Sequence, residues 1–344
     1  MIVNKTISEA LTQKHRWLVT GAAGFIGSNL CLSLLSLGQD VDAIDNFSTG
    51  HRKNIDEIEK FAETTSGSFK FYETDIRDAS ACKLRCQGID FVLHQAALGS
   101  VPRSILTPLI SHASNVDGFL NILDASRIAQ VKRFVFASSS SVYGDEPNLP
   151  KVESKIGNCL SPYAATKRVN ELYADVYSKT YGIECIGLRY FNVFGPRQDP
   201  NGAYAAVIPR WIEACIDQKP FIINGDGQTS RDFCFIDNVV QANILAAITS
   251  SSNSALQVYN VAAEAATTLL QLAELIQATV DSQLSRQPST NISLEYRPFR
   301  DGDVRHSLAD VSNAKKALGY FPSHDVKSGM REAVAWYSSV AVHK

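Results

Sequence analysis

A tyrosine and a lysine that together could remove a proton stand four residues apart, as Tyr163 and Lys167, in the segment SPYAATKRVNELYA. On a helix, this spacing places both side chains on one face. A lysine ammonium beside a phenol favours the phenolate, because the positive charge stabilises the negative one. The pair is therefore a candidate general base acting on a substrate hydroxyl.

A run of hydroxyl side chains precedes this pair, in the segment ASSSSVYG (residues 137–144). It follows the apolar run RFVFAS (133–138), which predicts a strand covered on both faces. In open parallel sheets, ligands bind in the crevice at the carboxyl ends of the strands. We therefore expect one of these serines to hydrogen-bond the same substrate hydroxyl that Tyr163 deprotonates.

A glycine-rich turn near the start of the chain has the spacing of a dinucleotide-binding loop, with Gly21, Gly24 and Gly27 in VTGAAGFIGSNL. The turn lies between a predicted strand (16–20) and a predicted helix (25–37), so a pyrophosphate would lie on the free N–H groups of the helix N-terminus. Asp45 ends the next predicted strand. A carboxylate there accepts hydrogen bonds from ribose hydroxyls and repels a 2′-phosphate, which favours NAD over NADP.

Repeated strand–helix–strand units over the first 150 residues predict the elements that position these groups. Such units require parallel strands with right-handed crossovers. The fold class expected is α/β, a Rossmann-type doubly wound parallel sheet with a smaller mixed α/β C-terminal lobe. We assign residues 1–190 to the NAD-binding domain and 191–344 mainly to the substrate lobe, with the chain crossing back between them. Further strands are expected at 41–45, 69–75, 91–96 and 184–191, and helices at 115–129 and 162–180.

Composition excludes several classes of protein. The net charge of −2, with 33 Lys+Arg against 35 Asp+Glu, argues against nucleic-acid binding by bulk charge. No apolar stretch approaches the roughly 18 residues that span a membrane, and the N-terminus has no apolar signal region. Seven scattered cysteines predict reduced thiols and a cytoplasmic location. Cys82 and Cys86 have no second Cys/His pair near them in sequence, and the histidines show no ligand spacing, so no metal is expected.

These motifs, in this order, resemble the extended short-chain dehydrogenase/reductase family over essentially the whole chain. The residues on which the resemblance rests are TGAAGFIG, Asp45, the serine run before VYG, and Tyr163 with Lys167. Within that family, the segments HQAALGSVPRS, LRYFNVFGPRQDPNGAYAAVIPRW and RDGDVRHSLAD resemble UDP-N-acetylglucosamine 4-epimerases of bacterial surface-polysaccharide (O-antigen) pathways.

The resemblance implies roles for individual residues. Ser139, Tyr163 and Lys167 would be catalytic, with Tyr163 as the base. The implied NAD-binding residues are Gly21, Ala23, Gly24, Phe25, Ile26, Gly27, Asp45, Asn46, Ser48, Gly50, Asp75, Ile76, Gln95, Ala96, Ala97, Asn115, Tyr163, Lys167 and Tyr190. The implied UDP-sugar-binding residues are Ser100, Ser139, Ser140, Ser141, Tyr163, Asn192, Gln198, Ala206, Val207, Arg231, Arg300 and Ser307.

The reaction implied is a reversible oxidation at C4 of the sugar, rotation of the 4-keto intermediate, and return of the hydride to its other face. Dehydratases of the family carry acidic residues after the catalytic Thr, where this chain has Ser140 and Ser141, and a serine is too weak an acid to expel water. Ser307 stands where a bulky Tyr would crowd a 2-acetamido group. Clamping of the phosphates by Asn192, Arg231 and Arg300 would leave the sugar free to turn.

Several alternatives stay open at this point. The substrate could be UDP-N-acetylglucosaminuronate, for which Arg103 is a weak candidate cation, or UDP-glucose and UDP-galactose. A dehydratase or decarboxylase, and an NAD-binding scaffold without activity, are less favoured classes. The resemblance also implies a homodimer, with helices 115–129 and 162–180 as candidate interface elements.

Overall fold

The computed structural model describes Ile7 and residues 11–202, 205–249, 257–288, 292–299 and 304–341. The strands alternate with helices along most of these ranges. In chain order the strands are β1 Arg16–Thr20, β2 Asp40–Asp45, β3 Phe69–Glu73, β4 Phe91–His94, β5 Arg133–Ser139, β6 Cys185–Tyr190, β7 Val193–Phe194, β8 Phe221–Asn224, β9 Ser230–Asp232, β10 Cys234–Phe235, β11 Gln257–Val261, β12 Ala266–Thr268 and β13 Leu294–Arg297.

The helices fall between these strands, with a π-helical turn at Ala113–Asp117 and a 3-10 turn at Ser140–Tyr143. In chain order they are α1 Phe25–Ser36, α2 Arg52–Ala62, α3 Ala79–Arg85, α4 Val101–Leu106, α5 Pro108–His112, α6 Gly118–Ile128, α7 Pro162–Tyr181, α8 Val207–Ile216, α9 Ile236–Ile248, α10 Leu269–Gln283, α11 Ser312–Leu318 and α12 Val326–Ala341.

Seven strands form one parallel sheet in the order β11-β6-β5-β4-β1-β2-β3. Apolar side chains project from both faces of the sheet: Trp17 and Val19 belong to one core cluster, whereas Leu18 belongs to the other. The order of the strands reverses direction between β1 and β4, which opens a crevice at their carboxyl ends. The sheet is therefore a Rossmann-type α/β sheet, as the sequence predicts.

The predicted elements match the structure closely within the first 190 residues. The predicted strands that run to residues 75 and 96 end earlier, at Glu73 and His94, because the chain there turns into the crevice. The predicted helix 115–129 begins as the π-helical turn. Strand β11 and helix α9 lie in the second half of the chain but pack onto the central sheet. Short two-stranded sheets, β10-β7, β12-β9 and β13-β8, come from the residues after 190.

Neither a disulfide nor a membrane-spanning helix is found in the described ranges. All seven cysteines are unpaired. The helices are each too short or too polar to cross a lipid bilayer.

A buried ion pair joins α7 to the two strands beneath it. Glu171 accepts hydrogen bonds from Arg189 on β6 at 2.9 Å to each oxygen, and from the Ser138 hydroxyl on β5 at 2.6 Å. Arg168 adds a contact at 3.0 Å. The Arg189 side chain is 2% exposed and that of Glu171 is 1% exposed. The pKa of Glu171 lies below its ordinary value of 4.5, because the hydrogen bonds and positive charges outweigh the opposing effect of burial.

Removing the charge of Glu171 should therefore destabilise the fold. Glu171→Gln leaves Arg189 as an unpaired buried cation, so we expect the free energy of unfolding at pH 7 to fall by about 3–5 kcal/mol in chemical denaturation. Because the folded-state pKa is depressed, the stabilisation is fully present above pH 4.5 and is lost as pH falls through the folded-state pKa. The difference in the free energy of unfolding between wild type and variant should shrink as pH falls over that range.

Asp175→Asn on the same helix is the matched control, since Asp175 pairs with Lys179 at the surface. We expect it to cost less than about 1 kcal/mol. Equal effects of the two substitutions would show that the buried pair does not stabilise α7.

Candidate functional site

The glycine turn between β1 and α1 forms one wall of a cavity of about 300 Å³. Gly21 has φ +69°, and a Cβ there would lie 2.8 Å from the Ala96 nitrogen. A Cβ on Gly27 would lie 2.2 Å from the Gly21 carbonyl oxygen, so strand and helix approach too closely for any side chain. Gly24 caps α1 without a side-chain hydrogen bond, which leaves first-turn N–H groups for an anion.

Asp45 lies at the end of β2 beside this turn and is buried. Its carboxylate accepts the N–H groups of Ala23 at 3.0 Å and Phe47 at 2.7 Å. Burial raises the pKa of Asp45, and these hydrogen bonds oppose the rise. The remaining lone pairs are available to ribose hydroxyls, and the fixed carboxylate would repel a 2′-phosphate.

Hydrogen bonds orient the side chain of Asn46, which lines this cavity. Asn46 donates to the Asp75 carboxylate at 2.9 Å, and Arg77 also binds that carboxylate, which holds the pKa of Asp75 well below its usual range. Twelve of the predicted NAD-binding residues line the cavity: Gly21, Gly24, Phe25, Ile26, Gly27, Asp45, Asn46, Ser48, Ile76, Gln95, Ala96 and Ala97. The cavity is also lined by residues whose types carry no sequence signal for a cofactor: Ile44, Thr49, Thr74, Gly99 and Ser114.

Other predicted cofactor residues support this cavity from behind. The Ala23 carbonyl accepts hydrogen bonds from the Asn54 side chain and the His51 backbone, and a Cβ on Gly50 would lie 2.7 Å from the Ala23 Cβ. The Tyr190 hydroxyl lies in a buried network, 3.0 Å from Gln95 Oε1 and 3.1 Å from Asn243 Oδ1. Their contact with NAD stays a prediction.

Tyr163, Ser139 and Lys167 converge where β5 ends and α7 begins. A hydrogen bond with the Ser139 hydroxyl lowers the pKa of the Tyr163 phenol, while burial raises it more strongly. Lys167 lies with its ammonium 6.0 Å from the centre of the Tyr163 ring and donates to the Ala137 carbonyl at 2.8 Å. Burial lowers the pKa of Lys167 to about 8. The three side chains can therefore move a proton to or from a hydroxyl placed above the strand end.

Asn192 and Arg231 line two further cavities. Ser139, Tyr163 and Lys167 line none of the three cavities themselves, but their chain neighbours Ser140 and Ala164 line the smaller of these two. The larger, of about 440 Å³, also contains Ser100, Gln198, Ala206 and Val207 among the predicted substrate residues. The smaller, of about 230 Å³, contains Ser140, Ser141 and Ser307. The sequence separates these residues by up to 207 positions, and the fold brings them together.

Arg231 is held between the two cavities by its own surroundings. Its guanidinium donates to the carbonyls of Ser230 at 3.0 Å and Arg305 at 3.2 Å. The Ser307 backbone N–H also donates to the Ser230 carbonyl, which places Ser307 beside Arg231. Arg300, the other predicted phosphate ligand, lies outside the described residues.

Several lining residues were not foreseen. Lys151, Tyr143, Val101 and Val304 line the smaller cavity, and Arg210, Trp211, Asn224 and Thr229 line the larger one. Asn224 and Thr229 flank the loop GDGQ, whose glycines indicated a turn only. Lys151 is 6% exposed, and its ammonium donates to the Glu146 carbonyl. Nothing in the local sequence indicates a buried lysine there.

One group of possible metal ligands occurs in the described part of the chain, apart from the cavities. Asp237, His324 and Glu332 bring one ligand atom each within 4.8 Å of one another. His324 Nε2 already hydrogen-bonds Glu332 at 2.9 Å, and Nδ1 lies 2.9 Å from the Ser323 hydroxyl. We assign these contacts to hydrogen bonding within the loop that precedes α12 and between that loop and α12.

Comparison with known proteins gives consistent matches over nearly the whole chain. The model of the NAD-dependent epimerase/dehydratase family matches residues 17–262. The UDP-glucose 4-epimerase of Mycolicibacterium smegmatis is 35% identical over 94% of this chain and 98% of its own length.

Solved structures agree with that match. The UDP-N-acetylglucosamine 4-epimerase of Methanobrevibacter ruminantium M1, in complex with UDP-N-acetylmuramic acid, is 36% identical with a TM-score of 0.85, covering 96% of this chain and 100% of that one. MoeE5 in complex with UDP-glucuronic acid and NAD is 29% identical with a TM-score of 0.80, covering 94% and 99%.

Proposed function

The chain belongs to the NAD-dependent epimerase/dehydratase family, and from this premise we propose that it interconverts UDP-N-acetylglucosamine and UDP-N-acetylgalactosamine by inverting C4. Its cofactor is NAD, and it is a UDP-sugar 4-epimerase, an isomerase. The identity of the sugar and the roles of the individual residues are the parts that we propose. The observation that carries the proposal is the convergence of Tyr163, Ser139 and Lys167 beside a small cavity lined by hydroxyl groups.

Tyr163 acts as the base in this reaction. Ser139 holds the C4 hydroxyl of the sugar, and the Tyr163 phenolate takes its proton. Burial raises the pKa of Tyr163, and the positive charge of Lys167, whose own pKa is about 8, would oppose that rise. When bound, NAD would supply the hydride acceptor and donor for C4 of the sugar. The residues of the 300 Å³ cavity hold that cofactor.

Inversion requires the nucleotide to stay fixed while the sugar turns. Arg231 and Asn192 line both substrate cavities, so they can bind the diphosphate between uridine and sugar. The sugar then occupies the smaller cavity, where the hydroxyls of Ser140, Ser141 and Ser307 offer hydrogen bonds to either orientation.

The chemistry of this smaller cavity supports epimerisation over dehydration. Elimination of water needs a group acidic enough to protonate the departing hydroxyl. Among the described residues that line the cavity, none is an aspartate or a glutamate. The 4-keto sugar therefore meets no carboxylic acid among the described lining residues that could protonate a departing hydroxyl, which favours epimerisation.

The small side chain of Ser307 supports an N-acetylated sugar. It lines the same cavity as Ser140 and Ser141, and a tyrosine there would fill space that a 2-acetamido group needs. The structural relative of 36% identity, from Methanobrevibacter ruminantium, is itself a UDP-N-acetylglucosamine 4-epimerase. The product would supply surface-polysaccharide synthesis, and the free thiols favour the cytoplasm as its location.

A second candidate substrate, UDP-N-acetylglucosaminuronate, is favoured by one observation. Lys151 adds a buried cation to the lining of the sugar cavity, whereas Arg103 lines none of the three cavities. A carboxylate at C6 could pair with that cation. The proton NMR assay that tests the reaction therefore also includes UDP-N-acetylglucosaminuronate.

We also propose a homodimer formed through α7 and the short helices α4 and α5. These helices pack together and expose large apolar side chains. Helix α6, the other candidate from the sequence, exposes only Ile128 among its large apolar residues. A contiguous patch of this kind usually marks an interface, and a second copy would cover it symmetrically. Its exposed members are Ile105, Leu106, Leu109, Ile110, Leu172 and Val176.

The reaction is tested by proton NMR after incubating the purified protein with UDP-N-acetylglucosamine. We expect UDP-N-acetylgalactosamine to appear and, in D2O, no deuterium at C4, because the hydride never exchanges with solvent. Tyr163→Phe should lower kcat by about a hundredfold or more, since it removes the base. Tyr173→Phe, a partly exposed tyrosine of the same helix, is the matched control. Deuterium at C4, or full activity of Tyr163→Phe, would contradict the mechanism.

Specificity is tested by Ser307→Tyr. We expect the ratio of kcat/KM for UDP-N-acetylglucosamine to that for UDP-glucose to fall by at least about tenfold, because the larger ring excludes the acetamido group. Ser307→Ala should leave the ratio near that of wild type. An unchanged ratio in Ser307→Tyr would show that the acetamido group does not bind beside Ser307. If the wild type turned over UDP-N-acetylglucosaminuronate faster than UDP-N-acetylglucosamine, the uronate would replace the proposed substrate.

The dimer is tested by sedimentation velocity of Val176→Asp. A charge in the centre of the apolar face should shift the particle to the monomer mass, since burying it unpaired is costly. Leu84→Asp is the control, because Leu84 on α3 is equally exposed, 55% against 54% for Val176. A wild-type monomer, or equal behaviour of both variants, would contradict the proposal.

A further inference from the structure

The first turn of α7 has one N–H group that its own cap does not satisfy. Pro162 at the first position has no N–H, and the Ser161 cap accepts from the Ala164 N–H through its hydroxyl and from Ala165 through its carbonyl. The remaining donor is the backbone N–H of Tyr163. It donates to the hydroxyl oxygen of Ser104, at 3.0 Å.

Ser104 is placed to accept this one hydrogen bond. It lies on α4 and is fully buried. Its hydroxyl hydrogen is committed to the Val101 carbonyl at 2.7 Å, so a lone pair faces Tyr163. The bond therefore fixes the backbone of the catalytic tyrosine relative to the start of α4, and not only relative to its own helix.

The carbonyl of Tyr163 is fixed through a second set of hydrogen bonds. It accepts from the Thr166 hydroxyl at 2.8 Å, and that hydroxyl accepts from Asn115 at 3.2 Å. Asn115, in the π-helical turn, also binds the N–H and carbonyl of Leu98, at 2.7 Å and 3.1 Å. Leu98 and Ser104 bracket a short loop, so both ends of that loop are tied to the peptide groups of Tyr163.

This loop touches all three cavities with consecutive residues. Gly99 lines the cofactor cavity, Ser100 the larger substrate cavity, and Val101 the smaller one. Ser100 has φ +98°, which is a strained conformation for a residue other than glycine and persists only where its surroundings enforce it. A shift of the loop would therefore move the walls of the cofactor and sugar sites together.

We propose that Ser104 is a positioning residue that keeps the catalytic tyrosine in register with the loop Gly99–Val101, so that base, sugar and cofactor align. This inference rests on the proposed role of Tyr163 as the base. Loss of the hydrogen bond leaves the part-buried N–H of Tyr163 without its acceptor and frees the first turn of α7 to move. A displacement near 1 Å at a reacting group can cost about a hundredfold in rate.

The test compares Ser104→Ala with Ser111→Ala, measured with UDP-sugar that carries deuterium at C4. Ser111 is equally buried on the adjacent helix α5, and its hydroxyl has no hydrogen-bond partner, so its removal tests burial alone. For Ser104→Ala we expect kcat to fall about tenfold or more, KM to change less than about threefold, and the primary isotope effect on kcat to rise, because a misplaced base makes the chemical step more limiting. Ser111→Ala should match wild type.

A second pair keeps the test decisive if the alanine variant does not fold. Ser104→Thr and Ser104→Val have nearly the same shape and differ in the hydroxyl, so threonine should exceed valine in kcat by at least about tenfold. Equal kcat in this pair, or a lower kcat in Ser104→Ala with an unchanged isotope effect, would overturn the inference. If wild type turned over no UDP-sugar, or if Tyr163→Phe were fully active, the proposed function would fail instead.

Discussion

Parallel pairing in the central sheet imposes the constraint on which the site depends. Every strand of the seven ends at the same edge, so the turns after β1, β2, β4, β5 and β6 must all emerge into one crevice. The glycine turn, Asp45, the serines and Asn192 line the three cavities from the ends of different strands for that reason. An antiparallel partner would have sent every second turn to the opposite edge of the sheet.

Burial of α7 then sets the electrostatics at that edge. Lys167 keeps an ammonium in a nearly dry position with a carbonyl as its described hydrogen-bond acceptor, so its pKa falls to about 8. Four residues later, Glu171 is buried with a full set of partners and stays ionised. The Glu171 carboxylate is paired with Arg189, which holds the helix against the sheet, and the Lys167 ammonium lies 6.0 Å from the centre of the Tyr163 ring. Two charges one turn apart on α7 are thus buried in different ways, Glu171 in an ion pair and Lys167 against a backbone carbonyl.

Much of this arrangement is visible in the sequence because it has a local cause. The spacing of Gly21, Gly24 and Gly27 follows from steric contacts within a few residues, and the close approach of Gly27 to Gly21 in the structure confirms the reason. The four-residue spacing of Tyr163 and Lys167 and the unbroken apolar strands are equally local. The NAD cofactor and the α/β fold were predicted from such patterns. The substrate residues required the resemblance, since Asn192, Arg231 and Ser307 have no shared local pattern.

Long-range packing decided what the sequence alone leaves open. The amino-acid order determines which segments form strands and helices, because helical and extended periodicities depend on near neighbours. It does not reveal that Lys151 lines the smaller cavity with Ser307, that the Ser104 hydroxyl accepts a hydrogen bond from the Tyr163 N–H, or that β11 completes a sheet begun some 240 residues earlier. Those contacts join residues far apart in the chain, and their geometry exists only after the apolar faces of the sheet have been covered.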